Sequence, residues 1–259
     1  MEQGGDMARR LENKVALISG AGGGQGRVAT LRFAAEGAKV VCCDVKGEGN
    51  EETVALARAA GGDVVGIAPL DVADPAGAAR WVDEAIARHG RVDILYNNAS
   101  AARFSPVADI SDDEWRFTMK NEIDVVFYPT RAAWPHLAKN GGVIINTASV
   151  AGMVGSKSAP GLAHCASKGA VIGMTRQLAV EGAPHGIRVV AISPGAIITP
   201  GTAEQMNNPD VKAMLMSHSL VGRLGQPEDV VAMAVFLASD EAGFITGVNY
   251  AVDGGHTAF

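Results

Sequence analysis

Apolar positions in this chain gather into short unbroken runs instead of alternating with polar ones. Lys14–Ser19, Lys39–Cys43, Val64–Leu70, Val92–Tyr96, Gly142–Asn146, Ile187–Ile192 and Val248–Val252 each read this way. Continuous apolar character is what strands buried on both faces of a parallel sheet require. Longer stretches with helical spacing lie between the runs. One follows the first run to about Glu36, and others cover Asp74–His89, Asp112–Lys139 and Leu162–Pro184. Strand and helix alternate over the whole length. The pattern predicts one doubly wound α/β domain, with a parallel seven-stranded sheet and helices on both faces. No Pro/Ser-rich linker, repeat or low-complexity tract divides it. The domain is therefore expected over 11–259, behind a flexible N-terminal segment at 1–10. Only Pro200–Leu220, rich in Met, Asn and Ser, is weakly patterned, and it reads as a mobile segment over a ligand site.

Composition narrows the function classes. The 259 residues are 47% hydrophobic but only 5% aromatic, with 32 glycines, which suits a large aliphatic core with many tight turns. A net charge of −6 gives no support to a nucleic-acid or anionic-membrane surface. No apolar run approaches the roughly 18 residues of a membrane span, and Met1–Arg10 has no signal-peptide core. Of three cysteines, Cys42 and Cys43 are adjacent. They make neither a disulfide framework nor a metal-ligand spacing, so a reduced cytoplasm and no metal are expected. His89, His136, His185, His218 and His256 show no ligand spacing and read as solvated.

The chemistry begins at Ser19-Gly20-Ala21-Gly22-Gly23-Gly24-Gln25-Gly26, between the first strand and the first helix. Glycines let the backbone turn sharply and approach a pyrophosphate. The helix N-terminus then offers free N–H groups and a positive dipole end to the phosphates. Glycine loops are common, but this position makes the signal much stronger. Asp44 ends the second strand about 20 residues on, where an acid accepts from the adenine-ribose hydroxyls and repels a 2′-phosphate. Val45 and Lys46 follow it, with no arginine immediately after, so NAD is expected over NADP. Asp71-Val72, at the end of the third strand, is a candidate adenine contact, although Asp71 before Asp74-Pro75 also suits a turn. A Rossmann-type domain is the expectation.

At this point the chain resembles the short-chain dehydrogenase/reductase family, from about Leu11 to Gly255. The resemblance rests on Ser19-Gly20-x-x-x-Gly24-x-Gly26, Asn97-Asn98-Ala99, Asn121, Ser149, Lys168, Ser193-Pro194-Gly195, Ile245-Thr246-Gly247 and Val252-Asp253-Gly254-Gly255. It implies that Gly20, Gly24 and Gly26, with Gln25 between them, wrap the pyrophosphate. Asn98 would steady the central strands. Pro194, Gly195, the backbone of Ile197, and Thr199 would hold the nicotinamide carboxamide. Lys168 would bind the nicotinamide ribose, Ser149 the reacting oxygen, and Asn121 a water in the proton path. It also implies a homotetramer, paired through the long helices and the last strand.

Three departures stand out. Ser100 replaces the glycine usual after Asn-Asn-Ala. The loop around Lys157–Pro160 is about two residues longer than the family's usual length. Most important, His164 stands four residues before Lys168, where the family has tyrosine. Tyr96, Tyr128 and Tyr250 all lie far from it in sequence.

Imidazole titrates near ~6.5, so it can move protons at neutral pH. Two like charges resist sharing a small site, so beside Lys168 the ring is expected mostly neutral, a competent base and a poor acid. Histidine is also shorter than tyrosine, by roughly 2 Å, and small misplacements are costly. Cys165, next to it, reads as packing. The expected function is an NAD-dependent oxidoreductase moving a hydride between nicotinamide and a secondary alcohol or its ketone. Met206, Met214, Leu215 and Met216 suggest an apolar substrate wall. The alternative is an NAD-binding protein of the same fold that does non-redox work, elimination or isomerisation, or that has lost catalysis.

Overall fold

The computed structural model describes residues 9–155, 159–203 and 207–259. Strands β1 (Val15–Ser19), β2 (Lys39–Cys43), β3 (Val64–Ile67), β4 (Ile94–Asn97), β5 (Gly142–Thr147), β6 (Ile187–Pro194) and β7 (Asn249–Val252) form one sheet. Its order is β3-β2-β1-β4-β5-β6-β7, and every pairing is parallel. The chain builds outward from β1 through β2 and β3, then returns to the far side of β1 with β4. That reversal opens a crevice above the carboxyl ends of β1 and β4, where ligands bind in such sheets.

The unbroken apolar runs have a direct cause. Successive side chains in a strand point to opposite faces, and here both faces are covered. Ile18, Val40, Tyr96 and Ile145 pack into one layer with helices α1 (Gly24–Ala35) and α2 (Gly47–Ala59) and with Val231 and Leu237 of a C-terminal helix. Leu17, Val41, Leu95 and Ile144 pack into the other, against Trp81, Leu137 and Val171. Each fully buried aliphatic side chain contributes about 1.5–3 kcal/mol. The second layer comes from α3 (Pro75–His89), α5 (Val125–Asn140) and α6 (Leu162–Gly182). Helix α3 has clear local signals. Asp74 caps it by accepting from the Gly77 N–H at 2.8 Å, Pro75 opens it, and Gly90 closes it in the left-handed region at φ 72°. The Trp81 indole crosses to the Val41 carbonyl at 3.1 Å.

Three expectations change in detail. The third strand stops at Ile67 instead of Leu70, just before Pro69, whose missing N–H cannot extend a ladder. The helix expected over Asp112–Lys139 is divided. Helix α4 (Asp112–Met119) starts at a Ser111/Glu114 capping box, and a π-helical turn (Lys120–Asp124) separates it from α5. The weakly patterned segment holds a helix, α7 (Pro209–Ser217), capped by the Asn208 side chain. It buries no residue, so it needs no apolar stripe and gives no periodic signal. Helix α8 (Pro227–Ala238) follows. The N-terminal segment up to residue 8, Met206, and Lys157 and Ser158 of the lengthened loop lie outside the described residues.

Candidate active site

The glycine loop, Asp44, Asp71, Asn98, Ser149 and Pro194 stand at the carboxyl ends of the strands. At the β1 end, Ser19 Oγ accepts the Asn98 and Ala99 N–H groups, both at 3.0 Å, and Asn98 Nδ2 returns to the Ser19 carbonyl at 3.0 Å. Asn98 thus ties β4 to β1 at the crevice. Gly26 packs so tightly that a Cβ there would run into the Gly20 carbonyl. Gly20 and Gly24 take left-handed φ values of 73° and 51°. The α1 N-terminus, which follows the end of β1 by a four-residue loop, has no side-chain cap and no acid in its first turn, so its positive dipole end is not offset there. Gln25 lies in that turn, its Oε1 buried and without a hydrogen-bond donor. This cradle fits a dinucleotide pyrophosphate.

At the ends of β2 and β3, carboxylates meet backbone N–H groups. Asp44 accepts from the Gly22 N–H at 2.8 Å and the Lys46 N–H at 2.7 Å. Asp71 accepts from the Ala73 N–H and pairs with Lys120 Nζ at 2.9 Å. Its carboxylate therefore anchors the π-helical turn, a role the sequence did not suggest, and Val72 is buried. Opposite, Pro194 ends β6 beside Val252 of β7, and Gly195 lets the chain pass against Asp253. The Ile197 carbonyl accepts from Thr202 Oγ1, and the Thr199 side chain rests against Gly24.

The catalytic candidates lie beyond β4 and β5. Ser149 follows β5 and opens a short 3₁₀ turn (Val150–Gly152), its Oγ accepting from the Ala151 N–H at 3.1 Å. Gly152 has no side chain where one would strike the Lys168–Gly169 peptide, so this turn lies directly on α6. Lys168 is 3% exposed and donates to the Thr147 carbonyl at 3.0 Å. Burial pushes its ammonium down from the ordinary lysine value, opposed by Glu122 nearby. Asn121 donates its amide to the Phe117 carbonyl at 2.8 Å, and its own carbonyl accepts from Ala101.

The residue next to Asn121 holds the candidates together. Glu122 is 1% exposed and touches everything around it. His164 Nδ1 lies 2.9 Å from both its oxygens. Ser100 Oγ donates at 2.8 Å and Ser167 Oγ at 2.5 Å, while Lys168 Nζ stands 3.6 Å away. Burial pushes the Glu122 carboxyl up, but the hydrogen bond from His164, the Lys168 charge and the Ser167 hydroxyl outweigh it. The group is held below the ordinary glutamate value. Phe104 tilts against the His164 ring, centroids 5.5 Å apart. Sequence reasoning missed Glu122, although a signal was present. Thr118, Glu122, Val125, Val126, Pro129, Ala133 and Leu137 are buried at helical spacing, so a carboxylate sits on the core stripe.

The tyrosines stand elsewhere. Tyr96 is buried in β4 and stacks on Phe33, Tyr128 meets Phe127 and Arg131, and Tyr250 lies in β7. The reading of His218 and His256 as solvated needs correction. Their rings stack at 4.6 Å, and burial together with the His218 charge pushes His256 below the ordinary histidine value. They line a cavity of about 170 Å³ with Leu215 and Asp253. No group of three or more His, Cys, Asp or Glu among the described residues is placed to hold a metal. None of the described helices is long and apolar enough to cross a membrane.

Comparisons with known proteins agree with this architecture. A family model described as enoyl-(acyl carrier protein) reductase matches residues 20–257. Meso-2,3-butanediol dehydrogenase of Serratia marcescens is 38% identical over 252 residues, 96% of each chain. A short-chain type dehydrogenase/reductase from Mycobacterium marinum superposes with a TM-score of 0.93 at 30% identity, over 97% of this chain and 98% of that one. A 7α-hydroxysteroid dehydrogenase, solved with NADH and 7-oxo-glycochenodeoxycholic acid, superposes at 0.90 and 30% identity, over 96% of each. The chain belongs to the short-chain dehydrogenase/reductase family, as an oxidoreductase with a nicotinamide-cofactor fold.

Proposed function

We propose that this protein is an NAD-dependent dehydrogenase of secondary alcohols, or the reductase of their ketones, with His164 in the position of the family's tyrosine. The observation that carries the reading is the cluster itself. His164, Lys168 and Glu122 meet in a nearly dry pocket beside the Ser149 turn, at the carboxyl edge of the sheet. A histidine left over from lost chemistry would not need a buried carboxylate with two further hydroxyl donors around it.

In this reading Gly20, Gly24, Gln25 and Gly26 hold the pyrophosphate and Asn98 keeps the crevice in shape. Asp44 selects NAD by repelling a 2′-phosphate. Asp71 and Val72 border the adenine. Pro194, Gly195, Ile197 and Thr199 hold the carboxamide, and Lys168 the ribose. Bound NAD supplies the hydride acceptor. Ser149 donates a hydrogen bond to the substrate oxygen. His164 takes the hydroxyl proton as the carbonyl forms, and Asn121 orders the water that carries it to solvent. A substrate with an apolar face suits the Phe104 wall against His164, and the diol and steroid named for two relatives bracket its size. All three cysteines are free, as a reduced cytoplasm would keep them. Exposed Phe127 and Phe244 suit burial in a homotetramer, which light scattering would read directly.

The test is NADH formation at 340 nm from NAD and a panel of linear, cyclic and steroidal secondary alcohols, at pH 5 to 10. Turnover by the parent, with a loss on the order of 10²–10⁴-fold in His164→Ala, is the expected result. If NAD binds and only His164→Tyr turns over, the parent is a silenced member of its fold.

A further inference from the structure

The reading just given leaves open how an imidazole replaces a phenol next to a lysine. We infer that Glu122 is the positioning carboxylate of a Glu122–His164 pair, holding Nδ1–H inward and leaving Nε2 as the nitrogen that exchanges the substrate proton. This rests on the proposed dehydrogenase reading for its catalytic consequence, but not for the pairing.

The hydrogen-bond inventory supports it. An ionised carboxylate only accepts, so every group facing it must bring a proton. Ser100, Ser167 and Lys168 do so, and His164 faces it with Nδ1. Nδ1 therefore carries hydrogen, and in the neutral ring Nε2 is then the bare, basic nitrogen. The depressed Glu122 carboxyl agrees with ionisation at neutral pH. Phe104 fills the side of the ring and limits its rotation.

The charge balance follows from the same contacts. The charged groups at the imidazole are Glu122, from the π-helical turn, and Lys168, one turn along its own helix. Arg103, from the Phe104 loop, lies with its guanidinium over the Phe117 ring. Beside Lys168 alone an imidazolium would be opposed. With Glu122 in contact with both, taking a proton turns a neutral ring into a paired cation. His164 thereby becomes competent both to accept the alcohol proton and to return it to a ketone. Two of the three departures from the family pattern, Ser100 and His164, are thus partners of one carboxylate, and Ser100 has a use that glycine cannot fill.

The pairing is read by nitrogen NMR of the histidine-labelled protein, with His164 assigned through His164→Ala. The parent should show His164 as the Nδ1–H tautomer when neutral. An Nε2–H tautomer there overturns the inference whether or not any alcohol is oxidised, so a failed substrate search and a failed pairing remain distinct. Kinetics supply the second readout. Glu122→Gln should lower kcat on the order of 10²-fold or more, with NAD affinity held within about twofold. Glu122→Asp, which keeps the charge, should recover part of the loss. In the His164→Ala background, Glu122→Gln should cost nothing further. Equal losses in both backgrounds would mean that Glu122 only supports the fold, and would overturn the inference.

Discussion

The crevice has two halves built on different principles. At the β1–β2 half, single side chains meet backbone N–H groups. The glycine loop folds on itself, and Asp44 accepts from the Gly22 and Lys46 N–H groups. At the β4–β5 half, side chains meet side chains. Residues 100, 164, 167 and 168, from two separate segments, converge on the carboxylate of Glu122. The first half offers mainly N–H groups that any sequence has, and in the proposed reading these would hold the cofactor. The second needs a buried charge, and therefore needs every one of its partners. Damage to the two halves should separate cleanly into lost cofactor binding and lost catalysis.

The largest break is expected at Gly26→Ala. Its Cβ falls on the Gly20 carbonyl, and Asn98 Nδ2 is within 2.8 Å, so the loop must open. Overpacking of this kind costs about 1–3 kcal/mol, and here it also moves the N–H groups proposed to hold phosphate. NAD binding should become undetectable by calorimetry while the fold survives with a lowered Tm. Retained NAD affinity would mean the cradle is not where the cofactor lies.

Ser167→Ala is the matching break in the other half. Ser167 is fully buried and its hydroxyl reaches both Glu122 and the His164 carbonyl. Removing a hydrogen bond to a charged group costs about 1.5–3 kcal/mol. Denaturant unfolding should show that loss, with NAD affinity unchanged and kcat reduced. A kcat equal to the parent's would separate Ser167 from the chemistry.

The same contrast explains what was legible in the sequence. The strands were readable because burial on both faces forbids polar interruptions, and the glycine loop because its meaning lies in consecutive residues. The Asp74-Pro75 start of α3 is local too. Glu122 was not readable as a partner of His164, because 42 residues separate them and only the packing of α6 against the π-helical turn joins them. The turn itself escaped notice because its residues continue the helical spacing on both sides. The strand-end position of Asp71 reads as an adenine contact or a turn, whereas its ion pair with Lys120 is hidden because it depends on a contact across 49 residues. The histidine pair at His218 and His256 is likewise a product of tertiary packing.

A milder test of the first half is Asp44→Asn. The Gly22 and Lys46 N–H groups are held by different oxygens, so the amide keeps one of the two backbone hydrogen bonds, and the charge proposed to disfavour a 2′-phosphate goes. NAD affinity should fall about tenfold, near 1.4 kcal/mol, and NADP should gain relative to NAD. Titrating both cofactors decides it. An unchanged NAD/NADP ratio would remove Asp44 from cofactor selection.

The smallest effect is expected where a carboxylate is paired in full view of water. Asp229 takes a two-pronged pair from Arg223, at 2.7 and 2.8 Å, and accepts from the Gln226 N–H at 2.7 Å. The Arg223 hydrogen bond comes first in pulling its carboxyl down, to about 2 from an ordinary 3.8. The folded value lies below the unfolded one. The pair's contribution is therefore present above pH 4 and fades as pH falls toward 2. Yet the two side chains are 57% and 33% exposed, so screening leaves less than about 1 kcal/mol. Melting curves of the parent and Asp229→Asn should differ slightly at pH 6 and draw together toward pH 3. A gap that widens on acidification would reverse the sign of this argument. A gap as large as that of Ser167→Ala would mean that exposure does not separate this carboxylate from Glu122, and the distinction between a charge that needs all its partners and one that water can serve would fail with it.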